Sequence, residues 1–177
     1  MPVIDAQVHV YERNHPGRPW VDVLHGPPEV TDADMIRAMD EVGVDGGLLV
    51  SVHTMYRYDA SYAIEAYNRH PDRFALIKPV DPTDPGVAET IAAWRGQEGA
   101  VAIRIMMRAG VSTDPADPGI NAVLAAAGKH GFPVNLLAYG RLDTQVAPLA
   151  ARHPGTQLVI DHLGLQQPFE PPAPPEP

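Results

Sequence analysis

Short segments rich in aliphatic and β-branched residues recur along the chain, with helix-like sequence between most of them. Most of these segments are apolar at successive positions, which is typical of strands buried on both faces of a parallel sheet. Six strands are predicted, over Val3–Val10, Gly46–Val52, Phe74–Val80, Ala100–Met106, Pro133–Ala138 and Gln157–Leu163. The alternation of such strands with helices predicts an α/β fold.

Helix start and stop signals lie between these strands. Thr31 and Asp34 have the spacing of a capping box and predict the start of the first helix. Asp84-Pro85 and Asp117-Pro118 each place a carboxylate at an N-cap and a proline at the first helical position, so two further helices are predicted to start there. Gly131 predicts the end of the second of these.

Two architectures fit a parallel sheet, an open doubly wound sheet and a closed barrel. The turn after the first strand has no glycine-rich phosphate-binding pattern, and this favours the barrel. A closed barrel of this kind has eight strands and only six are predicted, so the expected fold is a TIM-like (β/α)8 barrel that is incomplete. We predict this partial barrel over residues 1–167, followed by an extended, proline-rich tail over residues 168–177. Open sheet edges predict self-association or a fragment of a longer enzyme.

Composition narrows the function classes. The 177 residues carry a formal net charge of -9, which argues against nucleic acid as a partner. The absence of cysteine excludes disulfides, thiolate metal sites and a cysteine nucleophile, and it predicts a cytoplasmic protein. We expect no membrane partner, because no apolar stretch is long enough to cross a bilayer and no cleaved leader is recognisable. A small molecule is the expected partner.

Reactive groups of a βα fold gather at the C-terminal ends of its strands. Three of the eight histidines are predicted at such ends, namely His9, His53 and His162. The other five histidines are predicted to lie away from these strand ends. His70, His130 and His153 are predicted to cap helix ends, whereas His15 and His25 lie in a long connection that is either a lid or a surface loop. On the first strand, Asp5 and Gln7 are predicted to share a face with His9.

The opening strand, Lys78-Pro79-Val80-Asp81-Pro82, Ala102-Ile103-Arg104-Ile105 and Val159-Ile160-Asp161-His162-Leu163-Gly164 resemble the amidohydrolase-related (amidohydrolase 2) branch of the amidohydrolase superfamily. The resemblance covers all six predicted strands. It implies a distorted βα barrel that hydrolyses lactones or amides or decarboxylates aromatic acids, often through a divalent metal such as zinc.

The resemblance also implies an Asp-x-His-x-His opening, of which this chain keeps Asp5 and His9 but has Gln7 in place of the first histidine. A glutamine oxygen is a weak, neutral ligand for zinc. The fifth strand has Asn135 and no histidine, and the acidic residue of the family's eighth strand has no counterpart. His9 is therefore the one candidate metal ligand, in an incomplete set that is not expected to hold zinc tightly.

The resemblance further suggests roles for individual residues. His162 would help activate water toward a carbonyl, with His9 as a second catalytic candidate. Arg104 would clamp a substrate carboxylate, or else form a buried ion pair with Asp5 or Asp161. The predicted substrate-binding residues are Gln7, His53, Tyr56 and Asn135.

Several functions stay open from the sequence. The preferred one is a lactonase-like hydrolase that acts on a small carboxylated substrate. A decarboxylase of the same family is one alternative. The others are a catalytically impaired protein that only binds a small molecule, and a truncated piece of a longer enzyme.

Overall fold

The computed structural model describes residues 1–23, 26–107, 111–138 and 142–165. It divides into two compact units. Unit 1 comprises Met1–Pro79 and Gly96–Val101, and unit 2 comprises Val80–Arg95 and the described residues from Ala102 onward. The predicted proline-rich tail and His25 lie outside the described residues. None of the described helices combines the length and apolar character needed to cross a membrane.

Unit 1 contains three parallel strands in chain order with helices between them. Its elements are β1 (Ile4–Val8), α1 (Asp32–Val42), β2 (Gly46–Val50), α2 (His53–Tyr56), α3 (Ser61–Arg69) and β3 (Phe74–Pro79). Leu49 pairs with Leu76 in the β2–β3 register, and both side chains are fully buried. Gly47 allows β1 to approach closely, since a Cβ atom there would lie 2.9 Å from Val8 Cγ2.

The predicted capping box opens α1. The Thr31 side chain accepts the backbone N–H of Asp34, and the Asp34 carboxylate accepts the backbone N–H of Thr31. Hydrogen bonds from the Thr31 hydroxyl and backbone, then from Arg37, lower the pKa of Asp34 to about 2. The helix ends at Gly43, whose φ of 74° lies in the left-handed region that favours glycine.

Unit 2 repeats the same alternation. Its elements are α4 (Val87–Arg95), β4 (Ala100–Met106, within this unit from Ala102), α5 (Pro118–His130), β5 (Val134–Leu137), a π-helical turn (Leu142–Val146), α6 (Ala147–Arg152), β6 (Leu158–Ile160) and a 3-10 turn (Asp161–Gly164). β4, β5 and β6 are parallel and follow chain order. Helix α5 starts as predicted, with the Asp117 carboxylate accepting the N–H of Ile120, and it ends at Gly131.

Two predicted boundaries are wrong for local reasons. The helix expected from Asp84-Pro85 begins at Val87, because the Asp84 carboxylate accepts the N–H of Gly86 and forms a turn instead. The sixth strand stops at Ile160 rather than Leu163, because the backbone becomes left-handed at His162, with φ of 51°. The first strand is also shorter, over Ile4–Val8, and its register is irregular between Asp5 and Val8.

β4 has the predicted bounds, and the other strand ends differ from prediction by at most two residues, which is the usual uncertainty of such boundaries. The parallel pairing, the chain order of the strands and the alternation with helices confirm the predicted α/β class, an incomplete (β/α) barrel. The extent of the predicted barrel domain, residues 1–167, stays a prediction.

Candidate active site

The predicted site residues are divided between the two units. Unit 1 contains Gln7, His9, His53 and Tyr56, and unit 2 contains Arg104, Asn135 and His162. Within each unit the structure brings one pair or cluster together: Gln7 and His9 at the end of β1, and Arg104 and Asn135 within β4 and β5 beside Asp161, which follows β6. The catalytic and substrate-binding roles of these residues stay predictions, and the geometry below shows what each side chain is placed to do.

In unit 1, Gln7 and His9 lie side by side after the two-residue step that the sequence predicts. Their Nε2 atoms are 3.1 Å apart, and His9 Nδ1 lies 2.7 Å from the carbonyl oxygen of Val50 at the end of β2. Asp5 does not share this partly buried position. It is exposed, and its carboxylate accepts the backbone N–H of Gln7 where the β1 register is irregular.

These contacts test whether His9 fits the metal that the family resemblance implies. An imidazole ligates a metal through a nitrogen lone pair. On His9, Nδ1 faces a carbonyl oxygen, which only accepts hydrogen bonds, and Nε2 faces the amide nitrogen of Gln7, which only donates. Both nitrogens therefore have protein partners. Among the described residues, no group of three or more His, Asp or Glu side chains is arranged to hold a metal ion. The residues present do not fit a zinc site.

His53 and Tyr56 are both buried in the short helix α2. The His53 ring packs edge-on against Tyr58, with 5.2 Å between ring centroids. The Tyr56 hydroxyl accepts the backbone N–H of Glu12 at 3.1 Å, and burial raises the pKa of this phenol. Tyr56 thus ties the connection after β1 to α2, in agreement with the packing role that aromatic loop residues commonly have.

That long connection is held to unit 1 at several points. Tyr11 and Val30 exchange two backbone hydrogen bonds of 2.8 and 2.9 Å, and the Trp20 indole donates to the carbonyl of Glu12. His15 lies 2.8 Å from the Glu12 carboxylate, which also pairs with Arg18. Of the two interpretations of this segment, these contacts favour a surface loop over a lid.

Unit 2 holds a buried charged cluster, here called the Asp161 cluster, which consists of Arg104, Asn135 and Asp161. Arg104 Nε donates to Asp161 Oδ2 at 2.6 Å, and Asn135 Nδ2 donates to Asp161 Oδ1 at 3.1 Å. The three residues are only 4%, 5% and 5% exposed. Arg104 on β4 pairs in register with Asn135 on β5, whereas Asp161 follows β6 directly. Three successive strands therefore supply one cluster.

The buried ion pair considered for Arg104 is present, and its partner is Asp161. The role of Arg104 as a clamp for a substrate carboxylate stays a prediction. Since Asp161 occupies the Nε side of the guanidinium, a substrate carboxylate bound by Arg104 would have to use the edge formed by its two Nη atoms.

His162 follows Asp161 in an unusual backbone conformation. His162 and Leu163 have φ values of 51° and 57°, and Gly164 continues with 72°. Residues other than glycine rarely occupy this left-handed region. Each one costs on the order of 1–3 kcal/mol in free energy, so it persists only where the surrounding structure holds it. The two bonds to Asp161 fix the residue just before this turn. Because the His162 backbone is left-handed, the alternation of side chains along a regular strand does not extend from Asp161 to His162.

The histidines assigned to helix ends occupy those positions. His70 follows α3 and lies 2.9 Å from the Asp32 carboxylate, and His130 is the last residue of α5. His153 follows α6, and its Nε2 lies 2.8 Å from Asn121 Oδ1. Burial, with the neighbouring charge of Arg152, lowers the pKa of His153. These contacts support structural roles.

Sequence reasoning missed the importance of two carboxylates. Asp161 was considered only as a possible partner for Arg104, and its bond to Asn135 was not foreseen. Asp32 is buried and accepts both Nε and Nη2 of Arg69, which lowers the pKa of Asp32. The sequence has no signal for the bond from Asn135 to Asp161 or for the Asp32–Arg69 ion pair, because these partners lie far apart along the chain.

This chain is similar both to a family model and to solved structures. A family model described as Amidohydrolase matches residues 4–174. Among solved structures, a probable 2-pyrone-4,6-dicarboxylic acid hydrolase from Acinetobacter baumannii with citric acid bound is similar, at 24% identity and a TM-score of 0.73. An amidohydrolase from Burkholderia multivorans with bound zinc is similar at 20% identity and a TM-score of 0.73. In both comparisons 93% of this chain is covered, and it spans 59% of the other chain.

A more distant similarity is to 5-carboxyvanillate decarboxylase from Sphingomonas paucimobilis, at 17% identity and a TM-score of 0.62. That comparison covers 92% of this chain and 68% of the decarboxylase. A comparison with curated protein sequences gives no match.

Proposed function

This chain belongs to the amidohydrolase-related (amidohydrolase 2) family, and we propose that it serves in the hydrolysis of a lactone, or of a related C–O or C–N bond, in a small carboxylated substrate. The similar structures support this class of substrate. One is a probable hydrolase of 2-pyrone-4,6-dicarboxylic acid, which is a cyclic ester with two carboxylates, and it holds the tricarboxylate citrate. Since this chain spans only 59% of that relative, the activity of the whole protein is part of the proposal.

The observation that carries the proposal is the Asp161 cluster. Buried ion pairs are weak contributors to stability, because desolvation offsets much of the attraction between the charges. A packed apolar core would hold three parallel strands together without such a cost. A buried cluster of Arg104 and Asn135 on neighbouring strands with Asp161 just beyond β6 is therefore better explained by the requirements of a site than by those of folding.

The chemistry assigned to these residues needs no metal-dependent step. His162 would accept a proton from water as the water oxygen bonds to the carbonyl carbon. The ring C–O bond then breaks, and the proton passes to the departing oxygen to leave a carboxylic acid and a hydroxyl group. Asp161, held by Arg104 and Asn135, would fix the start of the left-handed turn that presents His162.

A hydrolysis assay with 2-pyrone-4,6-dicarboxylate tests this proposal. General acid–base catalysis contributes typically about 10²–10⁴-fold, so we expect His162→Ala to lower kcat by at least about a hundredfold. His130→Ala is the matched control, because His130 ends α5 ahead of the first residue of β5 and not after the C-terminal end of a strand, and this variant is expected to keep the wild-type rate. Equal rates for wild type and His162→Ala would remove His162 from the mechanism.

A second candidate function is binding of the same class of ligand without turnover. It is favoured by the Gln7–His9 pair, in which protein groups engage both ring nitrogens of the imidazole. Calorimetric titration with 2-pyrone-4,6-dicarboxylate distinguishes the two functions, since heat of binding without product would favour the binder. Release of carbon dioxide from an aromatic acid would instead identify a decarboxylase. A cytoplasmic location and self-association remain predictions from the sequence.

A further inference from the structure

The partners of the His9 ring define its protonation geometry. Nδ1 lies 2.7 Å from the Val50 carbonyl oxygen, which has no proton to donate. A hydrogen bond of this length therefore requires the proton on Nδ1. In a neutral imidazole the other nitrogen then carries a lone pair and accepts.

Nε2 of His9 faces the carboxamide nitrogen of Gln7 at 3.1 Å. An amide nitrogen carries two hydrogens and no available lone pair, so it donates. The two contacts agree with each other, since one needs a donor at Nδ1 and the other needs an acceptor at Nε2. Gln7 lies in β1 and His9 directly follows the strand, and the 3.1 Å contact places their side chains on one face of the chain.

We propose that the Gln7 carboxamide occupies the Nε2 lone pair through which His9 would otherwise ligate a metal, and that with the Val50 carbonyl it fixes the neutral Nδ1–H tautomer of this ring. Gln7 is thus a positioning residue for His9. In the Asp-x-His-x-His pattern that the opening strand resembles, this position holds a histidine. Here Gln7 stands in its place and forms a hydrogen-bonded amide–imidazole pair with His9.

The tautomer of the His9 ring and its response to metal do not depend on whether the chain hydrolyses lactones. The test uses the full chain with ¹⁵N-labelled histidine at pH 8, where an ordinary histidine is neutral, its pKa being about 6.5. Two-bond ¹H–¹⁵N spectra separate the two ring tautomers. The His9 signals are assigned by their loss in His9→Asn.

For wild type we expect a protonated Nδ1 and an unprotonated, hydrogen-bonded Nε2. In Gln7→Leu the donor is lost with little change in side-chain size, so the Nε2 signal is expected to move downfield while Nδ1 keeps its proton. A protonated Nε2 in wild type, or an unchanged Nε2 signal in Gln7→Leu, would overturn the proposal.

Zinc provides the second readout. An equimolar amount of zinc is expected to leave the His9 signals of wild type in place. In Gln7→His the amide donor is gone and a second imidazole lies two residues from His9, so zinc is expected to shift or broaden the His9 signals. A zinc-induced shift in wild type would overturn the proposal, as would the absence of a shift in Gln7→His. If that variant does not fold, wild type and Gln7→Leu still decide the outcome.

Discussion

The Gln7–His9 pair of unit 1 and the Asp161 cluster of unit 2 both place polar groups on or next to parallel strands, but they are held in different ways. The pair consists of an amide and an imidazole two residues apart, and the imidazole also contacts the backbone carbonyl of Val50. The cluster is charged, almost fully buried and assembled from three strands, with Arg104 and Asp161 separated by 57 positions. The first therefore depends on local backbone geometry, and the second depends on the packing of its unit.

The comparison predicts that disruption of the Asp161 cluster has the largest effect on stability. Asp161→Asn removes the negative charge and leaves the guanidinium of Arg104 buried without compensation. Loss of one partner of a buried ion pair costs about 3–5 kcal/mol in free energy of unfolding, and we expect a loss of this size in urea denaturation.

Two variants sharpen this prediction. Asp143→Asn makes the same chemical change at an exposed position of unit 2 and is expected to alter stability by no more than about 0.5 kcal/mol. The double variant Arg104→Met with Asp161→Leu removes both charges, so it is expected to be more stable than Asp161→Asn. If Asp161→Asn unfolded at the same urea concentration as wild type, the cluster would not have the energetic weight assigned to it.

A smaller loss is expected from the Gln7–His9 pair. Gln7→Leu removes one hydrogen bond to a partly buried ring, and a typical neutral hydrogen bond contributes about 0.5–1.5 kcal/mol. Urea denaturation under the same conditions measures it. Gln97→Leu is the matched control, because the Gln97 amide donates to the exposed carbonyl of Glu98, and here we expect almost no change. If Gln7→Leu lost as much free energy of unfolding as Asp161→Asn, the predicted difference in stability between the Gln7–His9 pair and the Asp161 cluster would be wrong.

The smallest effect concerns the capping box, which, like the Gln7–His9 pair, joins near neighbours. Because the Thr31 hydroxyl and backbone lower the pKa of Asp34 to about 2 from a usual 3.8, the folded state binds its proton less tightly than the unfolded state. The resulting stabilisation is complete above about pH 4 and is lost as the pH falls through 2. Asp34→Asn lacks this contribution at every pH.

The pH dependence of the free energy of unfolding therefore distinguishes wild type from Asp34→Asn. Between pH 4 and pH 2, wild type is expected to lose more stability than Asp34→Asn, as measured by circular dichroism in urea at each pH. Parallel curves for the two proteins would show that the capping carboxylate does not titrate as described.

Signals that involve only neighbouring residues were predictable. The capping box of Thr31 and Asp34 and the start of α5 at Asp117-Pro118 were confirmed, because capping bonds form within one turn of helix. Asp84-Pro85 has the same signal, yet α4 begins later. There the Asp84 carboxylate accepts the backbone N–H of Gly86, and the sequence does not indicate which N–H this carboxylate binds.

The candidate site was predictable to a similar depth. Arg104 and Asn135 lie within the apolar segments that predict β4 and β5, and the two-residue spacing of Gln7 and His9 predicts their contact. The early end of β6 was not predictable. Leu163 lies beyond Asp161 and His162 and reads as the end of the same strand, whereas in the structure a left-handed turn follows Asp161, whose carboxylate is bound by Arg104 and Asn135.

The sequence by itself determined the α/β class, the six strands of the described residues, the caps of α1 and α5 and the departure at Gln7, because each of these depends on residue type and short-range spacing. Only the tertiary structure decided that Asp161 joins Arg104 and Asn135, that His9 Nδ1 meets the Val50 carbonyl and that Asp32 binds Arg69. A buried polar group takes the partner that folding brings within hydrogen-bond distance, and the position of that partner is a property of packing rather than of the residue itself.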